Sequence, residues 1–380
     1  MNIKIHGDCD ERFLPLREAF AANFADGLEI GASLAATWRG RLVVDLWAGF
    51  RDPARTLPWE ENTIVNVTST TKVMAVISLL MLVDRGQIAL DERVACYWPE
   101  FGQGGKAEVT VRDALTHRAG VPGFEPPATA AMALDWDAIT TRLAAEPHWF
   151  AGKRRLCYHT LTYGYLLGEL IRRVDGRLPS QFFREEIAEK IGADFQLKLL
   201  SATDRPRIAK LGLPEDTDAE DAFMAKLLQA IDWADTSNLH RLMAENPGVN
   251  GFGNGRSIAR VCAIIANGGI LGGVRFLSED MIAEAGREQA YEHCPYTGWL
   301  RIGLGLGLDS KEYPAPAPTM LHWGGYGGSW AGMDHRAGVS FGYAPNNWVV
   351  TKSDAIQWTS EDDPRLVRIF GALGEVLSQI

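Results

Sequence analysis

Paired cysteines, an excess of positive charge and long apolar runs are all missing from this sequence of 380 residues. The formal net charge is −10, which argues against nucleic acid or an anionic membrane as the main partner. The longest apolar stretch, residues 73–83, is too short to span a bilayer. Residues 1–10 contain no apolar h-region of a signal peptide, so a soluble, cytoplasmic protein is expected. The five cysteines (Cys9, Cys96, Cys157, Cys262 and Cys294) are odd in number, scattered, and form no C-x-x-C pair. That excludes a disulfide framework or a zinc site and leaves reduced thiols. The eight histidines form no H-E-x-x-H and no other spaced metal set. Internal repeats and low-complexity tracts are absent as well.

What is present is an ordinary soluble composition, 46% hydrophobic and 23% charged, in a chain long enough for two cooperating parts. Twelve tryptophans are read mostly as core, since aromatics bury large area wherever they sit. Residues 11–24 set Phe13, Leu16, Ala19, Phe20 and Phe24 on one helical face. Residues 30–37 and 41–47 read as strands joined by a turn at Arg39-Gly40. Residues 69–85 read as a helix stopped by Gly86; its body is apolar on nearly all sides, as in a buried helix. Helix candidates follow at 111–115, 161–174, 219–230 and 257–266. Strand texture returns at 301–308, 338–343 and 348–352, and a helix face at 364–380 closes the chain.

The simplest assembly is an α/β (α+β) fold. An antiparallel sheet built from both ends of the chain is flanked by the N- and C-terminal helices, and a mostly helical domain is inserted between them. Residues 1–108 and 285–380 are assigned to the first part and 109–284 to the second. A cleft between the two is the expected active site.

Three segments carry chemistry. In Ser69-Thr70-Thr71-Lys72, residues three apart share a helix face, so the hydroxyl and the amine come within hydrogen-bonding reach. The helix N-terminus adds positive potential and N–H groups. A neutral Lys72 accepts the serine proton; a charged one stabilises the anion of another base. Taken alone, S-x-x-K reads better as an N-cap followed by an exposed lysine, but the apolar helix behind it speaks against exposure. Tyr158-His159-Thr160 precedes a second apolar helix. Tyr158 can accept a proton where cations lower its pKa, and a packed tyrosine with a satisfied hydroxyl fits equally. His159 is an auxiliary acid or base or, better, a hydrogen bonder behind the reacting groups. In His322-Trp323-Gly324-Gly325-Tyr326-Gly327-Gly328-Ser329, the glycines permit close backbone approach. Its N–H groups and that of Ser69 are candidates for the two halves of an oxyanion hole; a turning strand is the plain alternative.

Two patterns are decoys. Gly338-Val339-Ser340-Phe341-Gly342 matches the G-x-S-x-G elbow, but no helix follows Ser340. Gly303-Leu304-Gly305-Leu306-Gly307 opens no helix and is not a dinucleotide fingerprint.

In this order the three motifs resemble the serine β-lactamase-like, penicillin-binding-protein superfamily. The likeness is greatest to the class C β-lactamase branch and, within it, the family VIII carboxylesterases. Tyr97-Trp98-Pro99-Glu100-Phe101, Val109-Thr110-Val111-Arg112-Asp113-Ala114-Leu115-Thr116-His117 and Tyr163-Gly164-Tyr165-Leu166-Leu167-Gly168-Glu169 extend it over nearly the whole chain. The resemblance implies a β-lactamase/transpeptidase-like fold, with Ser69 as acylated nucleophile. Lys72 and Tyr158 are then the pair that removes its proton and later activates water. Trp323-Gly324-Gly325 takes the place of K-T-G, and Tyr326 N–H is the second oxyanion donor.

Two departures matter. Thr160 stands where class C β-lactamases carry Asn, and Trp323 where they carry Lys. The Trp removes a cation that helps bind the β-lactam carboxylate, adds an apolar wall, and leaves Lys72 as the main cation to depress the Tyr158 pKa. The implied activity is hydrolysis of small, short-acyl esters, with Tyr158 assisted by Lys72 as base, no cofactor and no metal. β-Lactamase, DD-peptidase, amidase or acyltransferase chemistry at the same site is the next reading, and a catalytically silent binding protein the last.

Overall fold

Residues 31–38, Gly-Ala-Ser-Leu-Ala-Ala-Thr-Trp, are buried along almost their whole length, as a strand covered on both faces demands. In the computed structural model, which describes residues 3–212, 237–295, 297–348 and 363–380, they form β2 (Gly31–Trp38). The same sheet holds β1 (His6–Cys9), β3 (Arg41–Gly49), β4 (Leu321–Gly324), β5 (Trp330–Asp334) and β6 (Val339–Pro345). All neighbours are antiparallel, in the order β1-β3-β2-β6-β5-β4. The two ends of the chain therefore meet along β2 and β6, with Ser33 opposite Ala344 and Thr37 opposite Ser340. The antiparallel sheet expected from both termini is what forms.

Helices α1 (Leu14–Ala25) and α5 (Pro364–Leu377) pack together over one face. Phe13, Phe20, Leu34, Leu46, Phe341 and Ile369 form that core, each fully buried large side chain contributing about 1.5–3 kcal/mol. Helix α4 (Gly255–Ala266) covers the other face, against β2, β5 and β6. The larger core is organised around α2 (Thr71–Asp84), which packs on α3 (Thr162–Asp175). Among the described residues, no helix is long and apolar enough to cross a membrane.

The structure departs from the sequence expectations in several places. Helix α4, placed by sequence in the helical segment 109–284, lies directly on the sheet. The run expected as strand at 301–308 is strand only to Ile302, as the second arm of the hairpin Ala290–Cys294/Gly298–Ile302. Beyond it the chain bends, with Gly303 N–H donating to Leu306 O at 2.8 Å; the alternating glycines give no side-chain face to hold a strand. The edge strand β1 is short and polar and shows no apolar alternation. The helix expected at 219–230 and the strand residues 349–352 lie outside the described residues. The decoy Ser340 is fully buried, its hydroxyl 2.6 Å from Thr37 Oγ1 and donating to Ala259 O at 2.7 Å.

A cluster of charges is buried where α5 begins. Asp363 caps the helix, accepting from Arg365 N–H at 3.0 Å. The Arg365 guanidinium, with no exposed side-chain surface, pairs with Asp363 at 2.7 Å and with the equally buried Glu29 at 3.4 Å. Tyr343 donates its hydroxyl to Glu29. Burial outweighs the nearby Arg365 and holds the Glu29 carboxyl up at about 7, against an ordinary 4.5.

The folded state thus keeps a proton on Glu29 that the unfolded chain releases. The stability this contributes is complete below pH 4.5 and is lost as pH rises through 7. The loss amounts to about 3 kcal/mol. Urea unfolding of wild type and Glu29→Gln from pH 4.5 to 8 should show a downward slope in wild type that the variant lacks; parallel slopes would mean the carboxyl is ionised throughout.

Candidate active site

Ser69 sits in a 3-10 turn, Thr68–Thr70, that runs into α2. Thr68 takes a φ of +43°, an unusual conformation for a β-branched residue. The turn sets Ser69 and Lys72 on one face, with the amine nitrogen 2.9 Å from Ser69 Oγ. Lys72 is fully buried, as the apolar body of the helix predicts. Its nitrogen also donates to Thr160 O at 2.8 Å and Gly248 O at 2.9 Å.

Burial pushes Lys72 well below the ordinary lysine range. A neutral amine has two N–H groups and one lone pair. In that form the two carbonyls would take both hydrogens and leave the lone pair for the Ser69 hydroxyl, whereas the charged amine donates to Ser69 Oγ as well.

Tyr158 Oη lies 2.8 Å from Ser69 Oγ. The Trp323 ring lies beside the Tyr158 ring, centroids 5.8 Å apart, and it carries one polar atom, the indole N–H, so the wall that sequence reasoning saw as apolar also has a donor. Burial raises the Tyr158 hydroxyl to about 12, only partly offset by the neighbouring Ser69 and Trp323 side chains. The expectation that Lys72 depresses this pKa therefore does not hold. The amine lies 5.0 Å from the ring centroid, and its own charged form is disfavoured by burial. Two groups in contact with one serine are driven apart, one towards a base and one towards an acid, which is the pattern that separates such roles.

His159 is not at the reacting atoms. Its ring is fully buried, with Nδ1 2.6 Å from Cys157 O and Nε2 accepting from Val121 N–H at 3.3 Å. Both nitrogens serve the backbone, so the structure sets the His159 ring against Cys157 and Val121 rather than against Ser69. His117 was not singled out by sequence. It accepts the His159 N–H at 3.1 Å, and its ring stacks on Tyr163 at 4.2 Å and Trp323 at 5.7 Å, and lies 4.9 Å from Tyr158. Cys157 is a packed thiol, pushed upward by hydrogen bonding to Cys294 and by burial.

The glycine-rich segment leaves β4 and closes on the nucleophile turn. Gly325 N–H donates to Ser329 O at 2.8 Å, and Gly328 N–H to Gly325 O at 3.0 Å, so Tyr326 and Gly327 are the central residues of a tight turn. A Cβ on Gly325 would stand 2.3 Å from both Val67 O and Ser329 Oγ; only glycine permits the approach. Thr68 Oγ1 donates to Tyr326 O at 3.0 Å. Ser329 Oγ donates to Val67 O at 2.8 Å and lies 2.9 Å from Thr70 Oγ1. Thr68, Thr70 and Ser329 thus join two segments about 260 positions apart, and no local signal marks them. Gly324, partly exposed, ends β4. The Tyr326 ring meets Trp348 edge-on at 4.7 Å.

Ser69, Lys72, Tyr158, Trp323, Gly325 and Tyr326 are therefore brought together. Among the described residues, no group of three His, Cys, Asp or Glu is placed to hold a metal ion.

Comparison with known proteins agrees with this geometry. The Beta-lactamase family model matches residues 20–363. Esterase/beta-lactamase LipL of Mycobacterium tuberculosis (strain ATCC 25618 / H37Rv) is 33% identical over 360 residues, covering 90% of this chain and 83% of its own. The crystal structure of a family VIII carboxylesterase superposes with a TM-score of 0.89 at 37% identity, covering 98% of this chain and all of that one. A penicillin-binding protein homolog from Caulobacter crescentus gives a TM-score of 0.87 at 35% identity, over 98% of this chain and 100% of that one.

Proposed function

This chain belongs to the beta-lactamase family and is a serine hydrolase, and from the geometry around Ser69 we infer that it is a carboxylesterase for small, short-acyl, uncharged esters. The observation that carries the reading is the contact of one serine hydroxyl with a buried lysine at 2.9 Å and a tyrosine at 2.8 Å. Trp323 stands where a β-lactamase would offer a cation.

Ser69 Oγ passes its proton to Lys72 Nζ and attacks the ester carbonyl. The N–H groups of Ser69 and Tyr326 receive the oxyanion. Collapse of the tetrahedral species breaks the bond to the alcohol oxygen, which takes its proton from Tyr158. Lys72 is fully buried and does not meet the leaving group, so its proton returns to Tyr158. Water then repeats the sequence on the acyl-enzyme, and releases the acid and free Ser69. Relative to the sequence expectation, the roles of the pair are exchanged: Lys72 is the base and Tyr158 the acid. The substrate is placed against Ser69, beside β4 and the start of α2.

The names of the relatives also include a β-lactamase activity and a penicillin-binding protein homolog, so the substrate is the point to test. kcat/KM on p-nitrophenyl butyrate is expected to exceed that on a cephalosporin or a D-Ala-D-Ala peptide by at least about 10²-fold, the scale set by an unmatched charged group in a site. Mass spectrometry of enzyme quenched with a slow ester should place one acyl group on Ser69. Equal turnover of the cephalosporin would replace the ester reading with the lactam one.

A further inference from the structure

We propose that Arg365 is a positioning residue for ester hydrolysis: by holding the Gly327 carbonyl it fixes the turn that aims the Tyr326 N–H at the oxyanion. The proposal rests on the reading of Tyr326 N–H as an oxyanion donor.

The turn has two outward carbonyls, and each is held. Tyr326 O accepts from Thr68 on the nucleophile side at 3.0 Å. Gly327 O accepts from Arg365 Nη2 on the opposite side, also at 3.0 Å. The two peptide units that follow the Tyr326 N–H are thereby clamped from two directions, and the carbonyl of its own unit, Gly325 O, is held by Gly328 N–H at 3.0 Å. Gly328 has a φ of +101°, and a Cβ there would stand 2.5 Å from Arg365 Nη2 and 2.8 Å from Asp363 Oδ2. Gly328 is thus the opening through which the guanidinium reaches the turn.

The guanidinium has five N–H donors in a fixed fork, and the surroundings match it. Nε donates to Asp363 Oδ1 at 3.0 Å, and Nη2 to Asp363 Oδ2 at 2.7 Å and Gly327 O at 3.0 Å. Nη1 donates to Asn347 O at 2.6 Å and Glu29 Oε2 at 3.4 Å. A fully buried ion cluster is poor value as a stability device, since well-packed apolar residues often serve as well or better. What an apolar residue cannot do is grip the Gly327 carbonyl. A lysine, with three donors on one point, cannot span Asp363, Asn347 and Gly327 together.

The test compares an ester with its thionoester. A thiocarbonyl sulfur accepts hydrogen bonds poorly, so the ratio of kcat/KM for the oxygen over the sulfur substrate reports the oxyanion donors. Wild type is expected to show a ratio of at least about 10². Arg365→Met is expected to lower it at least tenfold, with kcat down about 10–100-fold and KM within about threefold. Arg365→Lys, which keeps the buried cation if the Met variant does not fold, should do the same to a lesser degree. Arg368→Ala, in the same helix, where half-buried Arg368 pairs with Asp26 and donates to Asn23 but makes no contact with the turn, should leave the ratio unchanged. A wild-type ratio near one overturns the oxyanion reading itself. A high wild-type ratio retained by folded Arg365 variants overturns the role of Arg365 alone.

Discussion

Replacing Ser69 by alanine is expected to lower kcat/KM for p-nitrophenyl butyrate by about 10⁴-fold or more, the scale seen when a serine hydrolase loses its nucleophile. The folded state should hardly notice. Ser69 is partly exposed, and its two partners keep other contacts. Lys72 retains Thr160 O and Gly248 O, and Tyr158 retains Trp323. The melting temperature should therefore stay within a few degrees, and acylation by the slow ester should vanish from the mass spectrum. Turnover within tenfold of wild type, in a variant that is folded by circular dichroism, would remove Ser69 from the mechanism.

The second large effect separates base from acid. Lys72→Met should cost about 10³-fold in kcat on an activated p-nitrophenyl ester and on an ethyl ester alike, because both need the serine deprotonated. Tyr158→Phe should cost about 10³-fold on the ethyl ester, whose alkoxide cannot leave without a proton, but about tenfold or less on the p-nitrophenyl ester. If Tyr158 were the base, its loss would be equally severe on both.

The pH profile follows from the same assignment. kcat/KM rises with pH as Lys72 loses its proton, and this limb lies well below the ordinary lysine range. It falls only as Tyr158 loses its own near 12. An alkaline limb two or more units lower would mean that the phenol is not held protonated by burial. Lys72→Met also leaves two carbonyls without their donor, at about 1–3 kcal/mol each, so its activity should be read beside its urea midpoint.

Ser69 and Lys72 were legible in the sequence because three-residue spacing on a helix is local geometry. Tyr158 and the Trp323-Gly324-Gly325 segment were legible as residue types. The proposal that Lys72 is the base was not, because it rests on the two carbonyls of Thr160 and Gly248 and on the depth of Lys72, none of which spacing reveals. Thr68, Ser329, His117 and Arg365 were missed for the same reason: each acts across a long separation in the chain. The sheet was read correctly where strands are apolar, as in β2 and β6. It was missed where a strand is short and polar, as in β1, and the strand at 301–308 was overextended because glycine alternation imitates a pleat without supplying side chains. That α4 packs on the sheet was not legible, because an apolar helix face does not announce whether it will meet a sheet or another helix.

The pairing of β2 with β6 has a consequence for how this enzyme is made. During synthesis β2 leaves the ribosome about 300 residues before the strand that completes it, and for that time it offers an apolar, half-paired edge. Such edges invite association with other chains. Ser69 and Lys72 likewise emerge about 250 residues before the Tyr326 turn and about 290 before Arg365, which holds that turn. A chain stopped short of α5 would thus carry Ser69 and Lys72 without the arginine that holds the Gly327 carbonyl.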